Sequence, residues 1–311
     1  MVTPVLAAVA AVLGSREVVM VQVAPLAVVS RAALPAEGIA IFAAPDGRLV
    51  VPLAGLDATA IVQPDGTLRQ WPGRLFPLFF DEVDRMYALV PGLITTLAYP
   101  ERVEIERAPV DGLGGVWRAA CSRDGRLVAI IPAAGERREL IFAEPRPGGA
   151  VVRAGLTGTG EFVVVAPDAA WAIVATAEGG LELVAPTGPA WHGRVAAAGE
   201  LSALSLSEGG DDLLVGMKHA DGGLLVGFRV EPGKPEPLRR KFSTPIDQPP
   251  VGVATAGADV LVTTSSGVVW LVRGGRKLGG SLALAGARGL AIVPDVPRSV
   301  APAWSDTKAP R

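Results

Sequence analysis

GIAIFAAPDGRLVV, from Gly38 to Val51, sets an apolar run, a Pro-Asp-Gly turn and a second apolar run end to end. Asp hydrogen-bonds its own backbone two residues on and Gly supplies positive φ, so the stretch predicts two antiparallel strands joined by a tight turn. The phrase returns as VWRAACSRDGRLVAII (116–131), FVVVAPDAAWAIVA (162–175) and VGVATAGADVLVTT (251–264). Looser copies are LFPLFFDEVDRMYALV (75–90) and LSALSLSEGGDDLLVG (201–216). A unit repeated at this period means one small sheet stacked on copies of itself.

The residue three after the turn aspartate, or its nearest equivalent, falls at Leu49, Tyr87, Leu127, Trp171, Leu214 and Leu261. The separations are 38, 40, 44, 43 and 47 residues. Blades of a β-propeller, each of four antiparallel strands, occupy about 40–50 residues. First strands are nearly charge-free (39–43, 75–80, 162–166, 201–206 and 290–293) and are expected at the axis, buried on both faces. Last strands (102–107, 150–155 and 237–242) carry the charge, as exposed sheet edges do. QPDGT (63–67), PTGP (186–189) and EPGKP (231–235) read as the hairpin turns between third and fourth strands.

Six such units fill 38–285. Residues 1–37 and 286–311 together are expected to form a seventh, closing blade, with 289–293 as its inner strand and 17–24 and 26–32 among the others. Six blades with loose tails is the alternative. The whole chain, 1–311, thus reads as one all-β propeller domain, with 305–311 a flexible tail.

The P-D-G-x-L-V phrase at 45–50, its relatives at 124–128 and 167–171 and the spacing resemble the bacterial seven-bladed propellers of the WD-repeat-like and YVTN-repeat kind. The resemblance covers most of the chain. It implies a fold without naming a function, and the Gly-His and Trp-Asp dipeptides of true WD repeats do not occur.

Composition narrows the functional classes. Hydrophobic residues make up 50% of the 311 and charged residues 19%, below the roughly 25% usual in soluble domains. The surplus of Ala, Val and Leu must be buried internally or against a partner. A net charge of −2 offers no general attraction to nucleic acid or anionic lipid. No apolar stretch approaches the roughly 20 residues of a membrane span. Cys121 is the single cysteine, which excludes an internal disulfide, and the chain has no asparagine to glycosylate. Residues 5–14 are apolar, but no Lys or Arg precedes them and no A-x-A site follows. They read as a first strand or short helix of a cytoplasmic protein; export with 1–14 as an atypical signal is the alternative.

No catalytic residue, cofactor or metal is expected. His192, His219 and Cys121 fall in three different blades, which does not suit a zinc site. His192 reads as a surface ring beside Trp191 in an outer strand, and His219 as part of the loop KHADGG (218–223). Propeller lactonases resemble this chain in size and spacing, which implies a metal site of Glu, Asn and Asp on inner strands. This chain has no asparagine, and its inner strands lack charge. Asp211 and Asp212 read as turn residues. GLTGTG (155–160) resembles a phosphate-binding loop but lacks the following Lys-Ser/Thr and a helix, so it reads as a blade-to-blade connection. Cys121 is expected to act as a small buried apolar residue. Arg239–Arg240–Lys241 reads as a solvated outer edge, since alternation splits its charges between two faces. The cluster 136–139 (ERRE) reads as solubilising charge.

Recognition is left to the loops that converge on one face around the axis. Trp71, Trp117, Arg118, Lys218 and His219 are the candidate partner-binding residues there, since Trp and Arg are favoured interface anchors. For both tryptophans, packing between blades competes with partner contact. The favoured function is a non-catalytic scaffold or adaptor that docks a protein partner on its loop face, alone or as a subunit of a larger assembly. The alternative is a metal-assisted, lactonase-like hydrolase or a small-molecule binder at the axial pocket.

Overall fold

The Asp-Gly phrases fold as their turn chemistry requires. In the computed structural model, the Asp46, Asp124 and Asp168 carboxylates accept hydrogen bonds from the amides of Arg48, Arg126 and Ala170 at 3.0–3.1 Å. Gly47 and Gly125 then take positive φ (81° and 69°), and Ala169 occupies the same region at 62° without being glycine. The structure describes residues 9–293 apart from 24, 81–84, 91, 111–112, 114–115, 134–136, 195–198, 257–258, 265 and 285. The expected tail at 305–311 and residues 1–8 lie outside this set.

The described chain forms 28 strands in seven four-stranded antiparallel sheets, the blades of a seven-bladed propeller. Blade 1 comprises Phe42–Ala43, Leu49–Pro52, Ala58–Val62 and Leu68–Pro72; blade 2 comprises Phe76–Phe80, Arg85–Val90, Leu93–Ala98 and Glu104–Pro109. Blade 3 runs from Val116–Cys121 through Val128–Pro132 and Glu139–Ala143 to Val151–Gly155. Blade 4 contains Gly160–Val165, Ala172–Thr176, Gly180–Ala185 and Gly188–Arg194. Blade 5 contains Glu200–Leu206, Asp212–His219, Gly222–Val230 and Leu238–Ile246, and blade 6 Pro250–Ala256, Asp259–Thr264, Val268–Arg273 and Arg276–Ala283.

The seventh sheet joins the two ends of the described chain. Gly289–Val293 is its inner strand and pairs antiparallel with Val9–Leu13, followed by Glu17–Gln22 and Ala27–Ala33. The apolar segment near the N-terminus is therefore a strand from Val9 onward. The core is divided among the blade interfaces: each of seven apolar clusters joins residues of two neighbouring blades. One closes the ring by packing Leu13, Val18 and Met20 against Leu49, Val51 and Val62. Arg288 and Glu37 form an ion pair across the same junction.

Burial corrects one expectation. The charge-free first strands are not the most buried: Phe76–Phe80, Val116–Cys121 and Gly289–Val293 are largely half-exposed. Second strands such as Val128–Pro132, Ala172–Thr176 and Asp259–Thr264 are buried throughout. First strands of successive blades contact one another around the axis, so one side is left towards the centre of the ring. A second strand is covered on both faces by adjoining blades. Outer strands are exposed as expected, as in Glu104–Pro109 and Val151–Gly155.

Candidate functional site

A bulge recurs near the entrance of the first strands. In blades 2 to 6 the register against the second strand slips by one residue, leaving Leu78, Trp117, Glu161, Ser202 and Val251 as extra residues. A bulge re-aims the side chain it carries. In blades 3 and 4 these residues meet: the Trp117 indole N–H donates to the Glu161 carboxylate at 3.3 Å. Trp117 is 40% exposed, a large area for an aromatic side chain so constrained.

Two arginines complete the patch. The Arg137 guanidinium pairs with Glu161 at 2.9 Å and lies 4.5 Å from the centre of the Trp117 ring. The Arg118 guanidinium lies 4.8 Å from the same ring and 5.6 Å from Phe162, and donates to the Trp117 carbonyl at 3.0 Å. Burial lowers the Arg118 pKa, opposed by Glu161 and reinforced by the like charge of Arg137. Arg137 has φ 54°, a left-handed conformation that costs a non-glycine residue on the order of 1 kcal/mol or more. The patch thus offers an indole and two cations against one carboxylate, a surface suited to an acidic or π-rich group.

The remaining candidates are placed separately. Trp71, next to last in the outer strand of blade 1, packs edge-to-face on Tyr99 of blade 2, with centroids 6.0 Å apart. Lys218 and His219 correct the loop assignment: they are the last residues of the second strand of blade 5, paired with Gly223 and Gly222 across a two-residue turn. Lys218 pairs with Glu200 at 3.3 Å in the open. His219 Nε2 and the hydroxyl of the bulge residue Ser202 are buried with no hydrogen-bond partner among the described residues.

Of the charged cluster at 136–139, Glu136 lies outside the described residues. Arg137 belongs to the patch, and Glu139 pairs with Arg153 of the neighbouring strand at 2.5 Å. In blade 5, Lys241 reaches both carboxylate oxygens of Asp212 at 3.0 Å, and Arg229 pairs with Asp211 and Asp212. These carboxylates offset the basic run at 239–241.

GLTGTG connects blades 3 and 4, as expected, and does bind an anion: the chain's own carboxylate. Glu182, from the third strand of blade 4, has a side chain only 1% exposed. It accepts the Thr157 amide at 3.0 Å, the Gly158 amide at 3.0 Å and the Thr157 hydroxyl at 2.7 Å. Glu178 accepts the Thr159 amide at 3.0 Å. Partial burial pushes the Glu178 pKa up, but hydrogen bonds from backbone amides, including that of Thr159, outweigh it and the carboxyl stays below its ordinary value. His192 is exposed, as expected of a surface ring, and its Nδ1 lies 3.0 Å from the Thr157 hydroxyl. Glu182 was missed in the sequence, where a lone acid inside LELV was its one signal. Among the described residues, no three His, Cys, Asp or Glu side chains converge as a metal would need.

Cys121 ends the first strand of blade 3 among apolar neighbours, including Leu89 and Val128. Burial, aided by Asp124, pushes its thiol pKa up to about 12. Native protein at pH 8 is expected to react with iodoacetamide on the order of a thousandfold more slowly than an ordinary cysteine of pKa about 8.5. Labelling followed by mass spectrometry checks this, with urea-unfolded protein as the fast control.

No family model and no curated protein matches the chain. Solved structures do match in fold. A functionally unknown protein from Desulfotomaculum acetoxidans DSM 771 superposes with a TM-score of 0.73 at 12% identity, covering 92% of this chain and 99% of its own. A provisionally named 6-phosphogluconolactonase from Bacteroides uniformis gives 0.69 at 12% identity over 92% and 99%. The β-propeller domain of Cps50 (Swd1) from Myceliophteria thermophila gives 0.63 at 13% over 79% and 86%. At these identities the likeness is one of fold alone.

Proposed function

We propose that this propeller is a non-catalytic adaptor that docks a protein partner on the face where Trp117, Arg118 and Arg137 converge. The supporting observation is Trp117, an exposed indole held in place by its bond to Glu161 and by the guanidiniums of Arg118 and Arg137 close to its ring. An aromatic anchor already fixed in the free protein loses little conformational freedom on binding. Trp and Arg dominate the energetics of protein interfaces. The matching partner surface carries an acidic side chain beside an apolar one. Lys218 and His219 end the second strand of blade 5, on the side of the ring where the first strands begin.

Affinity purification from the native cell, with the wild type and a Trp117→Ala/Arg118→Ala variant side by side, tests the proposal. A partner identified by mass spectrometry should bind the variant at least roughly thirtyfold more weakly, the loss of about 2 kcal/mol expected for a central anchor. The melting temperature should barely move, because Trp117 lies at a half-exposed strand entrance. A partner retained by the variant would place recognition on another face. A stoichiometric cation in the purified protein would favour the hydrolase instead.

A further inference from the structure

Away from the hub, a groove of about 620 Å³ runs along the cleft between blades 1 and 2. This volume lies within the roughly 300–1,000 Å³ of small-molecule sites. Its apolar wall is made by Trp71, Pro72, Leu75, Leu93 and Leu97, with Trp71 fixed against Tyr99. Two arginines border it, and they differ in kind. Arg107 is already paired with Glu104 at 2.7 Å. Arg102 is half-buried, and its guanidinium meets no hydrogen-bond acceptor or carboxylate within bonding distance among the described residues. Asp57, whose charge it feels, is instead hydrogen-bonded to the Arg74 amide at 3.0 Å.

The backbone is shaped to place this guanidinium. Arg102 has φ 61°, a left-handed conformation that a long side chain rarely adopts. Its Nη2 lies against Gly73, where a Cβ would come within 2.9 Å, so the glycine after Trp71–Pro72 leaves the room it fills. A half-buried guanidinium with N–H groups open to the groove is a fork that a carboxylate matches. Burial also holds the Arg102 pKa below its ordinary value, opposed by Asp57, the condition an arriving anion would relieve.

We infer that this groove is a binding site for a carboxylate with an apolar body, the carboxylate on Arg102 and the body against Trp71 and the leucines. The site is separate from the hub patch. A free carboxylic acid and the C-terminal residue of a peptide share this chemistry. Glu101, an exposed acid on the same rim, opposes such a ligand and sets a limit on its affinity.

Calorimetric titration of the full chain with N-acetyl-leucine and with its neutral amide tests the site. The acid should bind at least roughly tenfold more tightly than the amide, as expected for a charge-assisted pair. Arg102→Gly, which suits the positive φ and should not destabilise the fold, should abolish that preference; Glu101→Gln should strengthen acid binding; Trp117→Ala should leave it unchanged. A peptide ending in leucine with a free carboxylate separates the two sources. Tighter binding than N-acetyl-leucine assigns the site to a chain terminus, and equal binding assigns it to a free acid. Equal affinity for acid and amide, an unaffected Arg102→Gly variant, or no binding at about 10 mM probe would each overturn the assignment, since even a site of about 1 mM would be largely filled there.

Discussion

Replacing Glu182 by alanine is expected to destabilise the protein by about 2–4 kcal/mol. The carboxylate sits between blades 3 and 4, almost wholly out of water, and is the acceptor for two amides and a hydroxyl of the connection between them. Alanine leaves those donors behind. Water can reach Thr157, which is exposed, but Gly158 is buried, and an orphaned buried N–H costs about 1–3 kcal/mol. Gly158 cannot move aside easily, since a Cβ there would already lie 2.9 Å from the Thr176 Cβ. Glu182→Gln should fall between wild type and alanine, because it keeps one oxygen acceptor but turns an NH2 towards an N–H. Urea denaturation followed by circular dichroism measures all three proteins. An alanine variant within about 0.5 kcal/mol of wild type, the scatter of ordinary surface substitutions, would mean that the loop holds its shape without the carboxylate.

A chain shortened to end at Arg288 is expected to lose cooperative folding altogether. The missing strand, Gly289–Val293, is the inner strand of the closing blade. Ala291 and Val293 pack into the cluster against blade 1, and Leu290 and Ile292 into the cluster against blade 6. Its removal opens two apolar interfaces at once and leaves Val9–Leu13 as an unpaired apolar edge, a template for aggregation. A melting curve should show no sharp transition, and light scattering should rise during refolding. Connectivity supplies the converse. Val293 stands opposite Val9 in an antiparallel pair, so a short turn joining them makes an ordinary hairpin. A circular permutant with that turn, opened instead between Ala36 and Glu37, should fold with the seven-bladed architecture. If the shortened chain melts like wild type, closure by this strand does not hold the ring.

These two positions show how differently the fold and the site were written in the sequence. The closing strand was legible because GLAIV is apolar, lies one repeat beyond the sixth unit and has no partner near it in sequence. The turn phrases were legible for a local reason: Asp binds the amide two residues on, and Gly takes the positive φ that follows. Each of those interactions is complete within a few residues. Trp117 and Arg118 could be picked out as exposed anchors near a strand entrance by residue type alone. Arg137 and Glu182 could not, because what each touches belongs to another segment. Arg137 looked like one charge among four in a turn, and only the bulges of two neighbouring blades bring Trp117 and Glu161 to it.

Periodic turns and the alternation of greasy and charged strands determined a ring of four-stranded sheets, since strand pairing and turn geometry are set by neighbours along the backbone; that it has seven blades, the last joining the two ends of the described chain, was decided by the tertiary structure. Which strands lie deepest was decided by the ring itself: a first strand looks onto the axis on one side, whereas a second strand is enclosed by blades on both. The same packing decided that the glycine-rich connection is filled by Glu182 and that Arg102 stands beside Trp71, against Gly73. Contacts between side chains of different blades depend on twist, bulge and separation in space, and no local pattern encodes those.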